Sequence, residues 1–142
     1  MAMAISVTKL RGMSEDLKDL LNQHGVYNNE QLLRAARTPA DRKALGKRLD
    51  LPADTLTNLA NRADLCRITG IGGVYSDMLE LAGVDTVPEL ANRRFDNLHK
   101  RLTQINEDRE MTSKPPTIGM VKEWIFQANE LPRRLVYNGN GA

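Results

Sequence analysis

The feature that most constrains the fold is a register of similar residues that recurs along the chain. Gly12 and Gly70 lie 58 residues apart (70 − 12), and the same offset relates apolar and glycine positions around them. The further pairs at this offset are Leu10/Ile68, Met13/Ile71, Leu17/Tyr75, Leu20/Met78, Leu21/Leu79, Gly25/Gly83, Val26/Val84 and Leu32/Leu90. Similar residues held at one offset over this length indicate a duplicated structural unit.

Helix signals follow one another along nearly the whole chain. Apolar residues recur at helical spacing, and Ser14, Asn29, Thr38 and Thr86 stand where a side chain can cap the start of a helix. No segment shows the alternation of a half-buried strand. The polar stretch 106–117, which ends near two prolines, is predicted to be a loop. The sequence therefore predicts an all-α protein of about eight short helices.

The duplication predicts how the 142 residues are organised. Residues 1–66 form a first helical repeat, 67–132 a second, and the glycine-rich segment 133–142 a flexible tail. Both halves are expected to pack as one compact unit around a single continuous core. The residues expected in that core are Leu17, Leu21, Ile71, Leu79, Leu90, Leu102, Val121, Trp124 and Ile125.

A glycine-containing stretch in the second half, residues 68–84, resembles the helix-hairpin-helix family. Gly-Ile-Gly at 70–72 matches the hairpin, Ser76 the following small position and Leu79 the next apolar one. The resemblance implies two similar halves that each contain this motif. It also implies that hairpin amides bind a DNA phosphate without reading the sequence, often beside a monovalent cation held by hairpin carbonyls.

The chain as a whole resembles a bacterial protein family known only as a domain of unknown function. The duplicated arrangement, the loop with Pro115 and Pro116 and the last helix with Trp124 carry this second resemblance. It implies a tandem helix-hairpin-helix fold and no particular activity.

The second hairpin is the candidate site. Glycines leave backbone amides uncovered, and amides at a helix N-terminus suit an anion. The predicted phosphate-binding residues are Gly70, Gly72 and Gly73 as amide donors, with Arg94, Lys100 and Arg101 as electrostatic support. The same glycines also fit a purely structural role, in which they shape a tight turn with Ile71 plugged into the core.

The first copy departs from the pattern at the positions that matter for binding. Ser14 replaces the second glycine, and Glu15 and Asp16 place carboxylates beside the amides. Lys18 stands where the pattern expects a small residue. Because carboxylates repel a phosphate, the first hairpin is expected to keep the fold without the site.

Charge leaves two functions open. A net charge of +2 is low for a protein that lives on DNA, and the basic run with Arg42 and Lys43 is interleaved with acids. The first hypothesis is a non-enzymatic module that binds the backbone of duplex DNA or RNA weakly and without sequence preference. The alternative is a protein-interaction or scaffold module that uses Phe95 or Phe126, which fall off the apolar stripes of their helices, as anchors.

Other classes have little support in the sequence. Two histidines and one cysteine cannot form the usual zinc cluster, and no phosphate loop is present. The protein is therefore expected to be no enzyme, with no metal or other cofactor. The lone Cys66, the lack of a leader and the lack of a long apolar run predict a cytoplasmic protein without a membrane partner.

Overall fold

The protein is all-α, as predicted. The computed structural model describes residues 4–10 and 13–137, and within them it contains eight α-helices, a 3-10 turn and no β-strand. An isolated bridge joins Ser6 and Asn28. The elements are the 3-10 turn Val7–Lys9, α1 Glu15–Gln23, α2 Asn29–Ala35, α3 Pro39–Leu49, α4 Ala53–Leu65, α5 Gly73–Leu81, α6 Val87–Ala91, α7 Phe95–Arg109 and α8 Ile118–Glu130.

Side-chain caps set the helix starts, and three of the four predicted caps are confirmed. The side chains of Ser14, Thr38 and Thr86 each accept a hydrogen bond from a first-turn amide. The prediction that Asn29 begins α2 is wrong by one residue. Asn28 is the cap, while Asn29 is buried and its Oδ1 accepts from the Ile5 amide at 2.8 Å. Two adjacent asparagines offer the same signal, and the contact with Ile5 decides between them.

The predicted loop at 106–117 is shorter than expected because α7 continues through Arg109. The helix ends at Glu110, which has a φ of 49° in the left-handed region. The Asn106 side chain, still within the helix, donates to and accepts from the backbone of Thr112. The polar residues at the end of α7 therefore form an exposed last turn, and the loop is confined to 110–117.

The predicted single core is wrong, because the buried residues form two clusters. The first is built from α1–α4 together with Leu135, and the second from α5–α8 together with Leu65 and Ile68. Leu17 and Ile125, both expected inside, are half-buried at the edges. Helix α4 supplies residues to both clusters, because its buried side chains lie in the first cluster up to Ala63 and Leu65 at its end lies in the second.

Polar contacts join the two clusters across the end of α4. Arg62 forms an ion pair with Glu80 on α5 at 3.0 Å. Asp64 and Arg67 form a buried ion pair at 2.7 Å, and the other carboxylate oxygen of Asp64 accepts from the Val87 amide. A buried pair of this kind fixes geometry because each charge needs its partner.

The chain then returns to the first half after α8. Leu135 is buried in the first cluster, and the Val136 amide donates to the Arg37 carbonyl at 2.9 Å. Arg134 pairs with Glu30 at 2.6 Å. Residues 133–137 are thus a packed strap at the start of the segment predicted to be a flexible tail. Residues 138–142 of that prediction lie outside the described residues.

Candidate nucleic-acid interface

The glycine turn, residues 70–73, connects the second cluster to the start of α5. Gly70 has a φ of 100°, a conformation that L side chains rarely adopt. The Ile71 amide donates to the Ile68 carbonyl at 3.1 Å, and the Ile71 side chain is buried in the second cluster. Gly70 and Ile71 therefore perform the structural role that the sequence left open for them.

Gly72 differs from Gly70 because it faces open space. It is the N-cap of α5, has an ordinary φ of −110°, and supplies no side chain to the first-turn amides. A Cβ built at Gly72 meets no heavy atom within 4 Å. Gly73 begins the helix and is half-buried. The exposed amides and the positive end of the helix dipole are what an anion needs.

Helix α8 holds the turn in place. A Cβ built at Gly70 would lie 3.2 Å from Nε1 of Trp124. The Thr69 amide donates to the Gln127 side chain at 2.8 Å, and that side chain donates back to the Thr69 carbonyl. No sequence signal indicated the Gln127 contact, because the partners are far apart and glutamine has no preferred pattern.

A loop contact brings one further cationic residue toward the turn. The hydroxyl of Tyr75, in the first turn of α5, donates to the Lys114 carbonyl at 2.6 Å. Tyr75 also lies against Trp124, with 5.3 Å between ring centroids. Lys114 is exposed, and sequence analysis missed it because the polar loop gave no indication of where it packs.

No hydrogen bond or ion pair joins Arg94 to the glycine turn within residues 4–10 and 13–137. Its neighbour Arg93 donates to the Ala82 carbonyl at 3.2 Å, at the opposite end of α5. Ala82 is the C-cap of α5, and a nine-residue helix is about 13 Å long. Arg94 instead pairs with Asp96 at 3.2 Å. The grouping of Arg94 with the turn stays a prediction.

Lys100 and Arg101 are exposed on the middle of α7, which packs against α5. Their neighbours Leu98 and Leu102 point into the second cluster. Neither cation forms an ion pair within residues 4–10 and 13–137. Their charges can attract an anion over a distance, although no hydrogen bond or ion pair joins either residue to the turn in the described part of the chain.

A groove along α8 reaches Thr69, the residue before the glycine turn. The α8 groove is an open cavity of about 530 Å³ lined by Arg67, Thr69, Glu123, Phe126, Gln127, Glu130 and Leu131. Phe126 is 63% exposed, as its position off the apolar stripe indicated. Phe95 is 39% exposed, but its ring lies under Lys122, with Nζ 4.4 Å from the centroid.

In the first copy, a side chain caps the start of the helix that corresponds to α5. Ser14 accepts from the Leu17 amide at 3.1 Å, so its hydroxyl fills the place that Gly72 leaves open on α5. Lys18 pairs with Glu15 at 2.9 Å, and hydrogen bonding to Glu15 raises the pKa of the lysine. Gly12 lies outside the described residues.

Metal ligation, the Cys66 thiol and helix hydropathy also bear on the sequence-based expectations. No group of three or more histidine, cysteine or acidic side chains stands where it could hold a metal ion. Burial raises the pKa of Cys66 to about 11, which keeps the thiol protonated and unreactive at neutral pH. Among these residues no helix has the length and hydropathy to cross a membrane.

Comparison with known proteins identifies a family whose description gives no function. A family model described as "Domain of unknown function (DUF4332)" matches residues 11–131, most of the chain. No curated protein and no solved structure matches. The function must therefore be inferred from the geometry.

Proposed function

We propose that this chain, which belongs to the DUF4332 family of domains of unknown function, is a non-enzymatic module that binds a nucleic-acid backbone weakly and without sequence preference. The observation that carries the proposal is the uncapped, unobstructed start of α5 at Gly72. Backbone amides contact phosphates without reading bases, so such binding is indifferent to sequence.

The arrangement of the helices supports a tandem helix-hairpin-helix fold. Helices α1 and α5 both contain nine residues and begin 58 residues apart (73 − 15). Gly25 and Gly83, at the same offset, have φ values of 81° and 86°. The caps Asn28 and Thr86 follow at that offset too, each with a first-turn amide as donor. We infer two copies of one unit, of which the second retains the open hairpin.

The proposed phosphate position lies over the first turn of α5, where the amides of Gly72 and Gly73 are the donors. Lys114, Lys100 and Arg101 supply attraction from the loop and from α7, and Arg94 at the start of α7 adds to it, reduced by its pairing with Asp96. Glu123, beside Thr69 in the α8 groove, opposes the anion. One amide site, few cations and a nearby carboxylate together favour low affinity.

Fluorescence anisotropy with labelled DNA duplexes tests the proposal. We expect two duplexes of unrelated sequence to bind equally, and binding to weaken steeply as salt rises because counterions are released. In G72S a hydroxyl caps α5 as Ser14 caps α1, by accepting from the Tyr75 amide, so the variant stays folded while a side chain stands in the proposed phosphate position over the first turn. Without the charge-assisted hydrogen bonds from the amides to the phosphate, DNA binding should weaken about tenfold.

A matched substitution in the first copy provides the control. S14L removes a cap from a helix start that carries Glu15 and Asp16, and it should leave DNA affinity unchanged. Equal affinity of G72S and the parent protein would contradict the proposed site. A folded protein without affinity for DNA or RNA at low salt would eliminate the function altogether.

One observation favours a second candidate function, a protein-interaction module on the same fold. Phe126 exposes more of its side chain than any other large hydrophobic residue in the described part of the chain, and it does so inside a groove. Phe95 is a weaker anchor because Lys122 covers its ring. An aromatic side chain exposed in a groove is typical of a site where another protein packs.

A further inference from the structure

The outer face of α8 carries a regular stripe in which one aromatic residue lies between two acids. Glu123, Phe126, Gln127 and Glu130 follow the spacing that places residues on one face of a helix. Gln127 is held by its two hydrogen bonds to Thr69, so it forms a fixed wall of the groove. Phe126 occupies the middle of the stripe with its ring uncovered.

The two acids have no cationic partner among residues 4–10 and 13–137. Glu123 and Glu130 are both exposed and lie two helical turns apart, about 10 Å along the axis. Arg67 also lines the groove, but its guanidinium is buried and bound to Asp64 and to the Pro132 carbonyl. The groove therefore presents uncompensated negative charge at both ends of an apolar centre.

We propose that the α8 groove binds a basic amphipathic helix of another protein. An apolar side chain of that helix packs on Phe126 and Leu131, and Lys or Arg residues two turns apart pair with Glu123 and Glu130. Matching charges at both ends fix the register, while the desolvated centre supplies affinity. The inference deepens the second candidate function and is independent of nucleic-acid binding, which these acids oppose.

The test uses three labelled helical peptides of equal length in an anisotropy titration with the full chain. One carries a leucine stripe flanked by lysines, the second has serine in place of leucine, and the third has glutamate in place of lysine. We expect only the first to bind measurably. F126A and the double variant E123Q/E130Q should each weaken its binding about tenfold, because the first removes the apolar centre and the second the charges at both ends, while neither changes the buried side of α8.

The double variant E107Q/E110Q, which removes two exposed acids near the end of α7, is the matched control and should bind like the parent protein. Circular dichroism confirms that each variant is folded. Equal binding of the lysine and glutamate peptides would overturn the proposed charge recognition while leaving a protein-interaction role intact. No binding of the leucine–lysine peptide, or binding unaffected by F126A, would overturn the groove as its site.

Duplex DNA provides the arm that separates the two functions. Neutralising Glu123 and Glu130 should weaken binding of the leucine–lysine peptide. DNA binding should stay equal or become stronger, because the glycine turn is unchanged. Loss of both ligands in E123Q/E130Q would contradict the inference, since it would indicate a general structural defect.

Discussion

Arg42 donates from Nη2 to the carbonyl oxygen of Val136 at 2.7 Å, which ties α3 to the strap that follows α8. Nη1 of the same guanidinium donates to the carbonyls of Ala36 and Arg37. The side chain is buried, and desolvation lowers its pKa. Arg42 also lies over the ring of Tyr137, 5.5 Å from the centroid. One cation thus organises the return of the chain to its first half.

We expect R42A to lower the free energy of unfolding by about 2–4 kcal/mol. The substitution leaves buried carbonyl oxygens without a donor, and hydrogen bonds to a charged group carry more energy than neutral ones. Urea unfolding followed by circular dichroism measures the change. K43A, at the exposed neighbouring position of α3, is the control and should fall within about 0.5 kcal/mol of the parent. Equal stability of both variants would show that the strap contributes little.

Local signals were readable in the sequence, whereas long-range contacts were not. The helix caps Ser14 and Thr38 follow from interactions within a few residues, and those predictions hold. Arg42 stood in a basic run typical of a solvated helix face. Its burial depends on Val136, 94 residues away, and no periodicity encodes such a contact.

The second stability prediction concerns Trp124, which is 2% exposed and packs against Tyr75 and Gly70. We expect W124A to lose about 3–5 kcal/mol, because a large cavity opens beneath the glycine turn. Such a loss approaches the whole stability of an ordinary small domain. Denaturant unfolding gives the value, and F126A on the exposed side of the same helix is the control. An unchanged midpoint in W124A would show that the second cluster does not depend on the indole.

Cys66 makes stability depend on pH in the alkaline range. The folded thiol has a pKa of about 11 because of burial, against 9.0 in an unfolded chain. Above pH 9 the unfolded state therefore releases a proton that the folded state keeps, and stability falls as the pH rises. Between pH 8 and 10 the parent protein should lose about 1 kcal/mol more than C66A does. Parallel pH profiles of the two proteins, measured by urea unfolding, would contradict the assigned burial.

The candidate site was readable only in part. The glycines marked the turn and the start of α5 because their chemistry is local. The contact between the Tyr75 hydroxyl and the Lys114 carbonyl was not readable, because the two residues lie 39 positions apart. A cluster of charged residues in the sequence does not indicate where their side chains lie, because tertiary packing decides which of these residues face a ligand.

The glycine turn yields a paired test, because two glycines two residues apart have opposite environments. We expect G70A to lose about 1–3 kcal/mol, since alanine at a φ of 100° is strained and its Cβ would lie 3.2 Å from Trp124. G72A should keep the parent stability, because its φ is ordinary and its Cβ would meet no atom within 4 Å. Thermal unfolding of both variants separates the two cases.

The same pair also separates structure from binding at this turn. G72A places a methyl group beside the first-turn amides, so any loss of DNA affinity at unchanged stability belongs to the anion site. G70A should lose DNA affinity only where it also loses structure, and cooling should restore binding as the folded fraction recovers. If G72A destabilised the protein as much as G70A, both glycines would be structural, and the protein-interaction role would be the better supported function.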